Sequence, residues 1–391
     1  MRAFLLAAFL FISISVHAGE QDKSDIDALT TADAAQPITD KVSDWHTYVE
    51  TAYGDNSQRY GWPSYRTERL SADVSFDKTI STGWRLIFAD RLDWDWQSEV
   101  PNEVKTNTLK ELYTSWQVNS NEIVDLGRIN TRYGVAFGYN PTDYFRADAI
   151  RNAVSIDPDS LRSNRLGSVM LRTQYLWISG SMSMMLSPKL IGSGTAEAFS
   201  PDFGATNHEN RYLIAFSQQI AENVSPQFLL YGEQDKDAQF GFDLTHVIGD
   251  ATVAYIEWSG GRGAAQNVQA LGKPSDASFR NRLATGFTYT TSNKISLTLE
   301  GEYDGAAPDS GTWNALRGGS LALYEQYRDY AQNAQQLTTR KALFGYASWQ
   351  DAMVNHLDLT AFVRRDLIDN SRLDWFEARY HWDHTDLALQ R

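Results

Sequence analysis

The segment Lys294–Asp304 constrains the chain more than any other. Taken alternately, Ile295, Leu297, Leu299, Gly301 and Tyr303 share one face, while Ser296, Thr298, Glu300, Glu302 and Asp304 share the other. A strict period of two fits a strand lying between an apolar and a polar environment, and it fits no helix. The same division recurs in Arg69–Asp77, with Leu70, Ala72, Val74 and Phe76 set against Arg69, Ser71, Asp73, Ser75 and Asp77. It recurs again in His356–Arg365, where Leu357, Leu359, Ala361 and Val363 oppose His356, Asp358, Thr360, Phe362 and Arg364. Trp84–Arg91 and Ala251–Trp258 alternate more loosely.

Aromatic residues mark the ends of such segments: Trp84, Trp94, Trp116, Tyr231, Trp258, Tyr289, Tyr303, Trp349 and Trp375. With 12 Trp, 19 Tyr and 18 Phe the chain is rich in rings, yet its mean hydropathy is negative. Beyond the first eighteen residues no run approaches the ~18 apolar residues a spanning helix needs. Rings at two depths around alternating strands are the pattern of a membrane barrel with aromatic girdles. A soluble β-sandwich also alternates, but it rarely needs strands so many or so long. The expectation is therefore an all-β fold, a transmembrane antiparallel β-barrel of about sixteen strands, with about eighteen as the alternative count. Short links near 78–82, 119–122, 175–177, 220–224, 249–250, 291–294 and 350–355 alternate with links that are mostly longer, at 95–106, 132–165, 189–208, 234–238, 260–280 and 305–339. That order matches short periplasmic turns and long extracellular loops.

Before the barrel, Arg2, the apolar run Phe4–Val16 and Val16-His17-Ala18 form a secretory signal with a small-x-small cleavage site. Residues 1–18 are thus expected to be removed on export, residues 19–44 to form an acidic periplasmic tail able to meet a periplasmic protein, and 45–391 to form the barrel. With no cysteine, disulfides, a lipid-modified cysteine and cysteine-based metal or redox sites are excluded. A formal net charge of -14 argues against nucleic acid as a partner. Thr312–Gln336 contains a helical segment over about 320–336, with Leu321, Tyr324, Tyr327 and Tyr330 in one stripe. It reads as a surface helix packed on a neighbouring loop, or as a lid.

Arg128–Arg172 holds seven arginines and four aspartates with no lysine or glutamate. Within it, the link 132–165 is long enough to fold into a barrel lumen and narrow it, where facing charges select solutes. Asn140-Pro141-Thr142-Asp143 is a turn leading to an expected helical turn over Tyr144–Ile150, and Asp157-Pro158-Asp159 is a second turn. Arg128, Arg132, Arg146, Arg151, Arg162 and Arg165 would form the basic side of a constriction, with Asp143 and Asp148 among them and Glu300 and Glu302 as acidic lining. Arginine holds carboxylates and phosphates bidentately, so the ring would favour anionic or polar solutes. The competing reading is that these arginines pair with Asp143, Asp148, Asp157 and Asp159 and only pin the loop.

The Gly-Arg strand end, "GYNPTDYFR" and the return "LRSNRLGSVMLR" resemble the wall and loop of outer-membrane porin and alginate-export-like barrels. The resemblance covers roughly Val124–Leu171 and implies a Gram-negative outer-membrane protein that passes small solutes or an anionic polysaccharide. One departure is the terminal Leu389-Gln390-Arg391, where such barrels end in Phe or Trp.

No catalytic signature appears. His381 and His384 fall on opposite faces of a strand, which does not suit a metal site. No nucleophile motif or phosphate-binding glycine loop is present, and Glu300 and Glu302 read more simply as lumen lining than as an acid/base pair. The expectation is a non-enzymatic channel without cofactor or metal, in contact with small solutes and outer-membrane lipid. The alternatives are a conduit or accessory barrel for export of an envelope polymer, and an outer-membrane lipid or polysaccharide hydrolase.

Overall fold

The computed structural model describes residues 6–16, 44–57, 64–98, 100–274 and 276–391, with backbone alone for 6–16 and 100–102. The strands of the first half are β1 (Leu6–Val16), β2 (Trp45–Ser57), β3 (Tyr65–Ser81), β4 (Trp84–Gln97), β5 (Val100–Gln117), β6 (Glu122–Ile129), β7 (Ser168–Trp177), β8 (Gly180–Ser187) and β9 (Arg211–Gln218). Those of the second half are β10 (Gln227–Glu233), β11 (Gln239–Ile248), β12 (Thr252–Gly263), β13 (Ser278–Thr290), β14 (Ile295–Asp304), β15 (Lys341–Trp349), β16 (Leu357–Asp366), β17 (Arg372–His381) and β18 (Thr385–Gln390). Each pairs antiparallel with its chain neighbours, and β1 pairs with both β2 and β18, so the eighteen-stranded sheet closes into a ring. A closed ring has no free edge.

The count is the alternative one. Thr385–Gln390 is a strand of its own rather than the bent end of β17, because the chain reverses between His381 and Thr385. Leu6–Val16, expected as the apolar core of an export signal, runs as a strand between β18 and β2. Nearly all of the expected acidic tail, residues 19–43, lies outside the described residues.

Alternation places side chains as the sequence expects. On β14, Leu297 and Leu299 face outward and exposed, while Ser296, Thr298, Glu300, Glu302 and Asp304 are buried inside. Phe228, Phe240, Phe287, Leu343, Val363 and Phe376 extend the outer apolar band. Trp84 and Trp116 stack at 5.4 Å near the short-turn end. Two expected girdle residues face inward instead. Tyr231 stacks on Tyr144 of the long loop at 4.5 Å, and Trp375 stacks on Phe362 at 5.4 Å.

Short and long connections alternate around much of the ring, although the long-side links at 234–238 and 367–371 are shorter than the opposite-side links at 219–226 and 350–356. The expected long link at 95–106 is replaced by strand: β4 and β5 run on to Gln97 and Val100, since the alternation of Trp94 and Trp96 continues past the girdle. Helices occur on the long-loop side: α1 (Pro158–Ser163), α2 (Phe203–Thr206), α3 (Gln266–Ala270), α4 (Ser310–Arg317) and α5 (Leu321–Asn333). The expected helix near 320–336 is α5. Its stripe buries Tyr327 beside Trp313 and leaves Leu321 exposed. The helical turn expected over Tyr144–Ile150 does not form; α1 forms instead, with Asp157 accepting from the Ser160 N–H and Pro158 at its start. Asn140 and Thr142 cap nothing, because their polar groups bind Ala136 O and Glu257.

Candidate functional site

Beyond Ile129 the chain leaves the wall, crosses the lumen, and rejoins the sheet at Ser168. Two wall carboxylates hold the crossing segment. Glu257 on β12 accepts from the N–H groups of Val135 (2.9 Å), Ala136 (2.9 Å) and Thr142 (2.7 Å) and from the Thr142 hydroxyl (2.9 Å). Glu300 on β14 accepts from the N–H groups of Phe137 (2.8 Å) and Tyr139 (3.0 Å) and from the Tyr255 hydroxyl (2.7 Å). Backbone N–H groups converging on a carboxylate give strong, directed bonds. The approach is so close that a Cβ on Gly134 would meet the Glu257 carboxylate at 2.6 Å, and one on Gly138 would meet Glu302 Oε1 at 2.7 Å. Gly134 also has φ +98, a backbone region that glycine enters without strain. Glu302 is paired with Arg364 (2.6 Å), whose Nη2 also donates to Gly138 O (2.9 Å). Glu300 and Glu302, expected to line the lumen, therefore point into it but are buried beneath the loop.

Most of the loop's arginines are consumed in the same packing. Arg165, fully buried, binds Asp143 through two bonds of 2.8 and 3.1 Å and also Asn130 (2.9 Å). Arg146 donates to Asn140 O and to Gln336 (2.9 Å), over the Tyr139 ring. Arg162 donates to Tyr133 O at 3.2 Å, and burial lowers its pKa below the usual guanidinium value. Arg128 and Arg151 serve the wall. Where β6 stops at Ile129, the upper part of β5 loses its partner, and Arg128 donates to Leu109 O (3.4 Å). Arg151 donates there to Asn107 O (2.7 Å), Ser200 O (2.9 Å) and Glu197 O (2.8 Å), tying β5 to the link between β8 and β9. Of the ten residues singled out in the sequence, Arg132 and Asp148 are exposed. The rest make contacts within the loop or with the wall, and of these Asp143 and Arg146 border a smaller cavity at the long-loop end.

The open space lies elsewhere. A cavity of about 510 Å3 separates the loop segment 154–164 from the wall formed by β2–β4 and β15–β18. Its charged wall residues are Glu50, Arg69, Asp73, Arg91, Glu377 and Arg379, and the loop adds Ser155, Asp157, Ser160 and Asn164. Arg69 pairs with Glu50 and donates to Val154 O (3.0 Å). Arg91 lies 2.9 Å from Asp93 and 3.6 Å from Glu50. Lys110 reaches Asp73 at 2.5 Å, and Arg379 reaches Glu377 at 2.8 Å. Burial, then the Asp159 carboxylate, pushes the Asp157 carboxyl up to about 6. Alternation marks Arg69 and Asp73 as inward-facing. Nothing in the sequence distinguishes the inner sector that borders open space from the sector the loop covers, so Arg69, Arg91 and Arg379 are absent from the expected site.

A second cavity, of about 390 Å3, lies at the long-loop end, among Tyr144, Arg146, Arg280, Arg282, Tyr330 and Gln336. The segment following α5 clasps the loop here. Asn333 O accepts from the Asp148 N–H (2.9 Å), Gln335 donates to Arg146 O (2.6 Å), and Gln336 accepts from the Tyr139 hydroxyl (2.9 Å).

No family model and no curated protein matches the chain. Among solved structures, two mutant forms of the porin of Rh. blastica align over 100% of this chain and 99% of theirs, with 9% identity and TM-scores of 0.43 and 0.44. A structure described as concerning asymmetric conductivity of engineered proteins aligns over 99% and 98%, with 9% identity and a TM-score of 0.43. Likeness at this distance does not identify the chain, and the site stands on its own geometry.

Proposed function

We propose that the protein is a non-enzymatic outer-membrane channel for small polar solutes, exported by its first eighteen residues and oriented with its short turns in the periplasm. The observation that carries this reading is the cavity of about 510 Å3 left between the inward loop and a polar wall, inside a ring whose outer face is apolar. Such a ring satisfies its backbone internally and presents hydrocarbon to lipid, as a bilayer requires. A loop tied across the lumen then sets the width of the path, and the polar groups bordering it replace part of a solute's hydration.

An anion filter made of the loop arginines is not part of this proposal. Six of them were expected at a constriction; Arg146, Arg151, Arg162 and Arg165 are bonded to carboxylates and carbonyls of the loop and wall, and Arg128 is buried against the wall with one bond, to Leu109 O. Guanidinium groups at the passage belong to Arg69, Arg91 and Arg379, beside carboxylates of similar number. Mixed lining of that kind suits polar solutes of either sign better than anions alone. The acidic residues 19–44 would face the periplasm and any partner there.

Purified protein in planar bilayers should give discrete conductance steps. A folded protein that conducts nothing would sink the channel reading and favour a polymer-export accessory or a barrel hydrolase.

A further inference from the structure

We propose that Asp157, at the start of α1 on the inward loop, sets the charge preference of the passage and makes it reversible with pH. This rests on the channel reading above. Three observations carry it. First, the charged wall groups of the cavity are held in ion pairs: Glu50 with Arg69, Asp73 with Lys110, Arg91 with Asp93, and Glu377 with Arg379. Second, Asp157 is the one charge that the loop contributes to the cavity, and among the described residues no cation pairs with it. Its carboxylate accepts from backbone N–H groups of its own segment, those of Ser160 (3.0 Å) and Asp159. Third, the cavity lining balances four carboxylates, Asp157 included, against three guanidinium groups. Whether Asp157 is ionised therefore decides whether the lining is net acidic or neutral.

Paired charges a few ångströms apart largely cancel beyond their own separation, whereas an unpaired charge acts across a narrow water-filled path. The groups facing Asp157 are Asp159 on its own segment, Glu377 and Arg379 on β17, and Glu50, Arg69, Asp73 and Arg91 on β2–β4. Its carboxyl titrates at about 6, inside the range an outer surface meets. Ionised, it draws cations to the passage; protonated, it leaves the paired charges to set a weaker preference.

Reversal potentials across a KCl gradient at about pH 7.5 and about pH 5 bracket this titration, since a single carboxyl changes charge within roughly one pH unit of its midpoint. The wild-type channel should prefer cations at the higher pH and lose that preference at the lower. Asp157→Asn keeps a side chain that caps α1 equally well, and it should show the acid-side preference at both values. Asp157→Glu should retain the shift, and it serves if the Asn variant does not assemble. Asp159→Asn, at an exposed neighbouring position, should retain the shift with its midpoint moved to lower pH, because the Asp159 carboxylate helps hold the Asp157 carboxyl up. A wild-type reversal potential that ignores pH, or an Asp157→Asn channel that shifts as the wild type does, overturns the assignment. Absence of any conductance in the wild type would instead fail the channel reading itself.

Discussion

At the residue scale, the lumen is organised around two glutamates, with the arginines in supporting positions. Glu257 and Glu300 each gather backbone N–H groups of Gly134–Thr142, and the tight winding of that segment explains why Gly134 and Gly138 are glycine. Glu257→Leu keeps bulk but leaves the N–H groups of Val135, Ala136 and Thr142 without their acceptor. Each unmet buried donor costs about 1–3 kcal/mol, so the variant should release the loop, lower the temperature of heat-modifiable gel mobility, and expose residues 134–160 to protease. Unchanged mobility and protease resistance would mean that Glu257 does not anchor the loop. The anchoring role was not legible in the sequence. Glu300 was visible as an inward acid, but a carboxylate that lines water and one that binds backbone N–H groups look identical in a strand. Only the glycines opposite them differ, and a glycine in a loop has many explanations.

At the element scale, alternation made the strands legible because a strand between lipid and lumen has no freedom in which residues it turns outward. Leu297 and Leu299 on β14 follow that rule, and so does Arg69 on β3. Where the environment has one character on both sides, the signal fails. Tyr231 and Trp375 carry girdle chemistry but face a lumen that the loop has made apolar locally. The helix after residue 320 was legible from its stripe, and its function was not. The expectation of a surface cover fits Tyr327 packed on Trp313, yet the chain beyond α5 also grips the loop through Asn333, Gln335 and Gln336. Replacing Gln335 and Gln336 together by Ala removes this clasp and leaves the Tyr139 hydroxyl held by Asp304 alone and the Arg146 side chain held by Asn140 O alone. Single-channel recordings should then show noisier current with more frequent high-conductance excursions. A quiet current like the wild type's would make α5 a cover and nothing more.

At the scale of the whole molecule, stability depends on an outer face that hydrocarbon accepts. Leu299 is half exposed in the middle of β14, and placing Lys there should cost about 2–4 kcal/mol near the bilayer midplane. Loss of the heat-modifiable band in Leu299→Lys, with Thr298→Lys as the inward comparison, tests which face meets lipid. Equal assembly defects in both would contradict the assignment. The way the ring closes has a further consequence. Strand direction around a closed antiparallel sheet behaves like the colouring of beads on a necklace with two alternating colours, which works only for an even number of beads. Leu6–Val16 is one bead, set between β18 and β2 and opposed to both. A chain cut after Ala18 loses it, and the two flanking beads then share a colour. A necklace so shortened could be fastened in only two ways: β18 and β2 side by side with the same heading, or another stretch of chain in the place of Leu6–Val16.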